Sequence, residues 1–300
     1  MVKLFLVTII LIANLFPQEG EVKKFHPNGI VSEISNYKNG KLDGLTYKYS
    51  TKGVLSEKSF YKNGIQDDKF LRFTEDGVLA EIYTFVNGMF NGEYRSYYED
   101  GTIREKGLYK NGTLDSLLKT YYQSGELKSL YFFVEGRKEK EAVEYFTNGK
   151  ISVTAEYKND LQNGKTIWFY EDGSLKGEFF YNTGHLTDTA KEYYQSGKLK
   201  SLKFYEFGKP EGTHLNFYED GKLKSEIVYK LSRKEGISKS FYENGALWTE
   251  QNYKSNKLSG ETKIYRESGK LWYIDLYENG ELISSKEFDE SGKQITETKK

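Results

Sequence analysis

Three histidines, His26, His185 and His214, are the residues of this 300-residue chain best suited to moving protons or holding a metal near neutral pH. Their spacing supports neither role. None lies in an H-x-x-x-H arrangement that would aim two imidazoles at one zinc ion, and each reads as a solvated turn or strand residue. Paired carboxylates recur as Glu99-Asp100, Glu171-Asp172 and Glu219-Asp220. A catalytic pair needs two different environments to separate its pKa values. These pairs return in one unchanging context, which marks them as turn residues. No serine stands in G-x-S-x-G, and no glycine run matches a phosphate-binding loop. The chain has no cysteine, so thiolate nucleophiles, thiolate metal sites, disulfides and a lipidated N-terminal cysteine are excluded. Lys plus Arg equals Asp plus Glu at 44 each, without the basic excess of a nucleic-acid binder. The residues therefore predict a protein that is not an enzyme, with no catalytic residue, no cofactor, no metal and no nucleic-acid partner.

What positions these residues is a period. Glycines recur at 29, 53, 77, 101, 125, 149, 173, 197, 221, 245 and 269, every interval being 24 residues. Counting each as position zero, an aromatic always precedes it by four, from Phe25 and Tyr49 to Tyr265. An aliphatic follows at +2, from Val31 to Leu271, and an aromatic follows at +8, from Tyr37 to Tyr277. A second turn glycine stands at +11 in most copies, replaced by Asp160, Ser232 and Asn256 in three. A third often stands at +15, as Gly44, Gly92, Gly164, Gly212, Gly236 and Gly260. Asp-Gly and Asn-Gly pairs supply the positive φ of tight hairpin turns. Between turns lie segments of ordinary strand length, and positions +2 and +8 share one sheet face.

Each period is thus two antiparallel strands and two turns. The predicted fold is all-β: an elongated, twisted antiparallel sheet of tandem hairpin repeats with about 22 strands. At about 4.8 Å per strand it would be on the order of 100 Å long if it does not close. Stacked copies are expected to set like rings beside one another as ladders.

The pattern Y-x-x-G-x-L-x-x-x-x-x-Y-K-N-G-K-x-x-G, followed in outline at residues 218–236 and, opening on Phe25, at 25–44, resembles the MORN repeat. More closely it resembles the variant in bacterial YwqK-type proteins, often described as antitoxins. The resemblance spans nearly the whole chain after residue 19. It differs from the common eukaryotic pattern, which opens Y-x-G and is richer in glycine. It implies an elongated antiparallel sheet and a non-catalytic role. It also implies links to toxin neutralisation, protein scaffolding, or association with membrane and phospholipid.

The start of the chain is unlike the rest. Met1-Val2-Lys3 is followed by an almost unbroken apolar run over residues 4–16 and then by Pro17-Gln18-Glu19-Gly20. That run is short for a bilayer span and fits a secretory signal. An uncleaved membrane anchor or a buried first strand are the other readings. The organisation expected is residues 1–19 as signal peptide or anchor, 20–292 as eleven tandem repeats, and 293–300 as a polar tail. Export places the protein in the periplasm, at the cell surface or outside the cell.

Departures from the repeat carry what remains. Position +3 is small or basic as Ser32, Ser56, Lys128, Lys200 and Lys224, but becomes Trp248 and Trp272 in consecutive copies. Two tryptophans on one face about 10 Å apart suit a partner-binding patch. The plain structural alternative is that they shield the end of the array. Trp168, beside Phe169, reads as packing. The function expected is an exported, non-enzymatic scaffold that binds another protein, such as a toxin or an envelope component. The alternatives are an antitoxin or immunity protein, and a membrane-associated one.

Overall fold

The computed structural model describes residues 17–299, so the charged and apolar start at residues 1–16 lies outside it. Every secondary-structure element among the described residues is a β-strand, twenty-eight in number, and every pairing between them is antiparallel. They fall into two compact units. The N-terminal unit holds residues up to 127 together with 133–136; the C-terminal unit holds 128–132 and 137 onward.

The count of twenty-eight exceeds the expected 22 for two physical reasons. Two strands lie outside the eleven copies: Gly20–Phe25 pairs with Val31–Lys38, and Gln294–Lys299 pairs with Glu281–Phe288. The polar segment expected as a tail after Gly292 therefore forms a strand. The other four come from second strands split in two, such as Met89–Phe90 and Gly92–Tyr97, or Lys257–Leu258 and Gly260–Tyr265. The split falls just before position +15, held there by Gly92, Ser116, Gly236 and Gly260. Position +15 takes a positive φ in every copy but the last, where Ser284 does not: Gly44, Gly92 and Gly164 lie near 125°, and Asp68, Ser116, Lys140 and Asp188 occupy the same slot at 58–85°. The strand bulges there, and the facing strand skips a partner, as between Ser35 and Tyr37. A side chain covers the exposed carbonyl: Asn36 Nδ2 donates to Leu45 O at 2.9 Å, and Thr84 Oγ1 to Glu93 O at 3.1 Å.

The two turns differ. In the first, the glycine alone is left-handed, and paired bonds such as Gly101 N to Tyr98 O (3.0 Å) and Tyr98 N to Thr102 O (2.8 Å) close a type I turn with a glycine bulge. In the second, both central residues are left-handed, as Asn39 (52°) and Gly40 (75°), which is a type I′ turn.

Each unit has a thin core. Its buried positions are mostly small: Ser35, Thr46 and Ser59 face one another across three strands, as do Ala142, Ala155 and Thr166. Rings do not stack copy upon copy as simple ladders but interleave with other side chains. In the N-terminal unit Phe90 lies between Phe85 and Tyr109, with centroids at 4.5 and 5.5 Å, and Tyr94 touches Tyr83 and Tyr109 at 4.9 and 5.8 Å. In the C-terminal unit His214 takes the corresponding place between Tyr205 and Tyr229, at 5.3 and 4.6 Å.

Candidate functional site

The margins formed by the turns carry most of the side-chain hydrogen bonds that join one copy to the next. On the first-turn margin, a tyrosine three residues before the glycine reaches one copy ahead. Tyr170 Oη donates to Tyr193 O, Tyr194 Oη to Phe217 O, and Tyr218 Oη to Phe241 O, all near 2.8 Å. His26 fills this slot in the first copy and donates through Nε2 to Tyr49 O at 2.8 Å; Arg266 fills it near the end and donates to Phe288 O at 3.1 Å. The paired acids sit on the same margin. Asp100 and Asp172 accept from the backbone and hydroxyls of Thr102 and Ser174 in their own turns, and from Gln123 and Gln195 in the next copy. The Ser174 and Gln195 donors hold the Asp172 carboxyl down at about 2. On the opposite margin a carboxylate or amide accepts the turn N–H of the following copy, as Asp43 from Asn63 and Glu211 from Leu231.

Such a chain of recurring contacts, each joining a copy to the next, is what a tandem repeat requires, and the family comparison agrees. The MORN repeat variant matches eight segments, residues 18–39, 90–111, 138–159, 162–183, 189–209, 210–231, 234–255 and 258–279, which together make up more than half of the chain. The chain belongs to the MORN repeat variant family. No curated protein matches it. Similar solved structures include the crystal structures of TcdB2-TccC3-TEV and of TcdB2-TccC3 without its hypervariable C-terminal region, and a structure of the Photorhabdus luminescens Tc holotoxin pore. Each is 11% identical, covering 93% of this chain but 18% of its own, with TM-scores of 0.19, 0.20 and 0.19.

Within the MORN frame, position +3 proves to be a stacking slot. Lys176, Lys200 and Lys224 lie over the margin tyrosines Tyr170, Tyr194 and Tyr218 at 5.2–5.7 Å. Trp248 takes the lysine's place over Tyr242, at 5.7 Å and 47% exposed. At Trp272 the order inverts: the tryptophan occupies +3 and the cation, Arg266, stands over its ring at 4.4 Å. Trp272 also rests on Tyr273 at 5.0 Å and donates Nε1 to Glu287 at 3.3 Å. Trp248 therefore presents the freer ring of the two.

The histidines separate in the same way. His185 is exposed at the start of a strand, and His26 is a margin residue. His214, expected to be solvated, is instead buried at 6% exposure and donates Nε2 to Phe204 O at 2.8 Å. Burial among the tyrosines, helped by the nearby Lys203 ammonium, lowers its pKa and favours the neutral ring. Because the folded pKa lies below the unfolded value of about 6.5, this histidine favours folding least in acid: stability is full above that value and falls as pH drops below it. His214→Gln is expected to flatten the loss of melting temperature between pH 7 and pH 5, measured by circular dichroism. Among the described residues no three of His, Asp and Glu gather to hold a metal ion.

Two residues whose exposure and backbone the repeat pattern does not give stand apart on the second-turn margin. The first left-handed position of that turn carries Asn at 39, 63, 87, 111, 159 and 279. In consecutive copies it carries Phe207 (φ 48°, 67% exposed) and Leu231 (φ 50°, 81% exposed).

Proposed function

We propose that the chain is an exported, non-catalytic MORN scaffold that grips another protein through the second-turn margin of its C-terminal unit. Phe207 and Leu231 carry this reading. A left-handed backbone costs a branched or bulky L-residue roughly 1–2 kcal/mol, and a large apolar side chain in water gains nothing in return. Two such residues one period apart oppose stability twice in the same way, the pattern of residues kept for contact. The turn carboxylates are occupied in their own turns, which supports a non-catalytic role, and the charged start with its apolar run supports export.

The double variant Phe207→Asn/Leu231→Asn is expected to melt higher, by about 0.5–1 kcal/mol per site, while losing its partner. A photo-crosslinking residue at position 207 should capture one dominant protein from the producing cell's envelope, and capture should fail when Leu231 is changed to Asn. If the double variant binds as well as the parent, these residues are not the contact. Capture of lipid in place of protein would transfer the margin to a membrane role.

A further inference from the structure

The C-terminal unit holds a cavity of about 330 Å³ lined by Trp168, Lys176, Phe179, Tyr181 and Glu192. It lies within three neighbouring strands, Leu161–Phe169, Leu175–Asn182 and His185–Tyr193, where Trp168, Gly177 and Glu192 face one another in a row. Elsewhere the same cross-strand rung is filled from both sides: Lys48 pairs with Glu57 at 2.8 Å and Arg72 with Glu81 at 2.7 Å, and Ile264 faces Tyr273. Here Trp168 faces a glycine. A Cβ on Gly177 would stand 2.7 Å from the Phe179 ring and 3.1 Å from Lys191 O, so the glycine lets the Phe179 ring lie down over the backbone as the floor, and Phe179 meets Trp168 edge-on at 6.4 Å. Trp168, expected merely to pack, is 43% exposed.

The polar groups select by charge. The Lys176 ammonium lies 6.0 Å from the Trp168 ring and 5.5 Å from Tyr170, where a cationic ligand would meet a like charge. The Glu192 carboxylate, fixed by Ser201 Oγ at 2.6 Å and Lys203 Nζ at 3.1 Å, opposes an anion. What remains is a neutral ligand with an apolar face for the tryptophan and groups that both donate and accept hydrogen bonds. The volume lies at the lower end for small-molecule sites, room for about one ring.

We propose that this cavity binds one ring of a neutral saccharide, stacked on Trp168 with hydroxyls held by Glu192 and Lys176. The site is separate from Phe207 and Leu231, so either reading can fail alone. The test is titration calorimetry and saturation-transfer NMR on the full chain with chitotetraose, cellotetraose and maltotetraose, using tetramethylammonium and tetragalacturonate as charged comparisons. At least one neutral tetrasaccharide is expected to bind with a Kd of about 1 mM or tighter, and both charged probes more weakly. Trp168→Ala and the near-isosteric Glu192→Gln should each weaken binding about tenfold with the protein still folded by circular dichroism. The proposal is overturned if no neutral tetrasaccharide binds, if a charged probe binds better, or if Trp168→Ala lowers only the melting temperature.

Discussion

Tyr94→Ala is expected to destabilise the N-terminal unit by about 3–5 kcal/mol, the range for emptying a large aromatic from a core. Tyr94 is 8% exposed and is the one large side chain among the buried apolar residues described; Ala142, Ala155 and Ala190 are the others. Its ring touches Tyr83 and Tyr109, and its Oη donates to Glu105 at 3.1 Å. Truncation removes both ring contacts and leaves a hole that a single layer of strands has little material to fill. Tyr94→Phe keeps the ring and drops only the hydrogen bond, so it should cost about 1 kcal/mol. Hydrogen exchange resolved by segment is the right measurement, because repeat arrays need not unfold as one body. Amides of strands Gly92–Tyr97 and Ile103–Lys110 should lose protection in Tyr94→Ala while those beyond residue 150 keep theirs. Uniform loss, or none, would show that this aromatic cluster is not the core of its unit.

Excision of one period should be tolerated where excision of nearly one period is not. Removing residues 203–226 joins Leu202 to Ile227 and keeps every later residue in phase, and Tyr194 Oη then meets Phe241 O in place of Phe217 O. The shortened chain is expected to melt cooperatively within about 5 °C of the parent, having lost one interior copy and no end. Removing 203–225 instead joins Leu202 to Glu226 and puts every later residue one position out of phase. A one-residue slip moves every side chain to the other face, turning the Glu261 carboxylate into the place of buried Thr262 and the bulky Ile237 into that of Ser238. Burying such a charge without a partner costs on the order of 3–5 kcal/mol, and the slipped chain should show no cooperative melt. Equal behaviour of the two deletions would mean that the bulges at +15 absorb register errors.

The strands, the turn glycines and the role of the paired acids are legible in the sequence, because a strict period makes each copy a control for the others. The features that escape it are those the period hides. Asp68, Ser116, Lys140 and Asp188 adopt the left-handed bulge with no glycine to announce it; the backbone conformation belongs to the repeat, not to the residue in it. His214 replaces the threonine found at 46, 166 and 262, and its burial comes from the two tyrosines beside it, which are distant in sequence. Phe207 and Leu231 are visible as departures from Asn, but their exposure and φ are not. Trp168 reads as packing in the sequence because its partner across the strand, Gly177, is set by register. Trp248 and Trp272 stand out in the sequence, and the structure places both in a slot where rings and cations exchange places.

The margin hydrogen bonds bear on how the chain assembles. They join residues 20 to 23 apart, as Asp43 to Asn63 and Tyr170 to Tyr193, and the strand pairings close loops no longer than that. Loop-closure entropy is thus met one period at a time, and the search at each step does not lengthen as copies accumulate. A nucleus can form at any pair of copies and extend in both directions. Folding speed should therefore be set by one period rather than by 300 residues, and a chain emerging from one end could add finished copies as it appears.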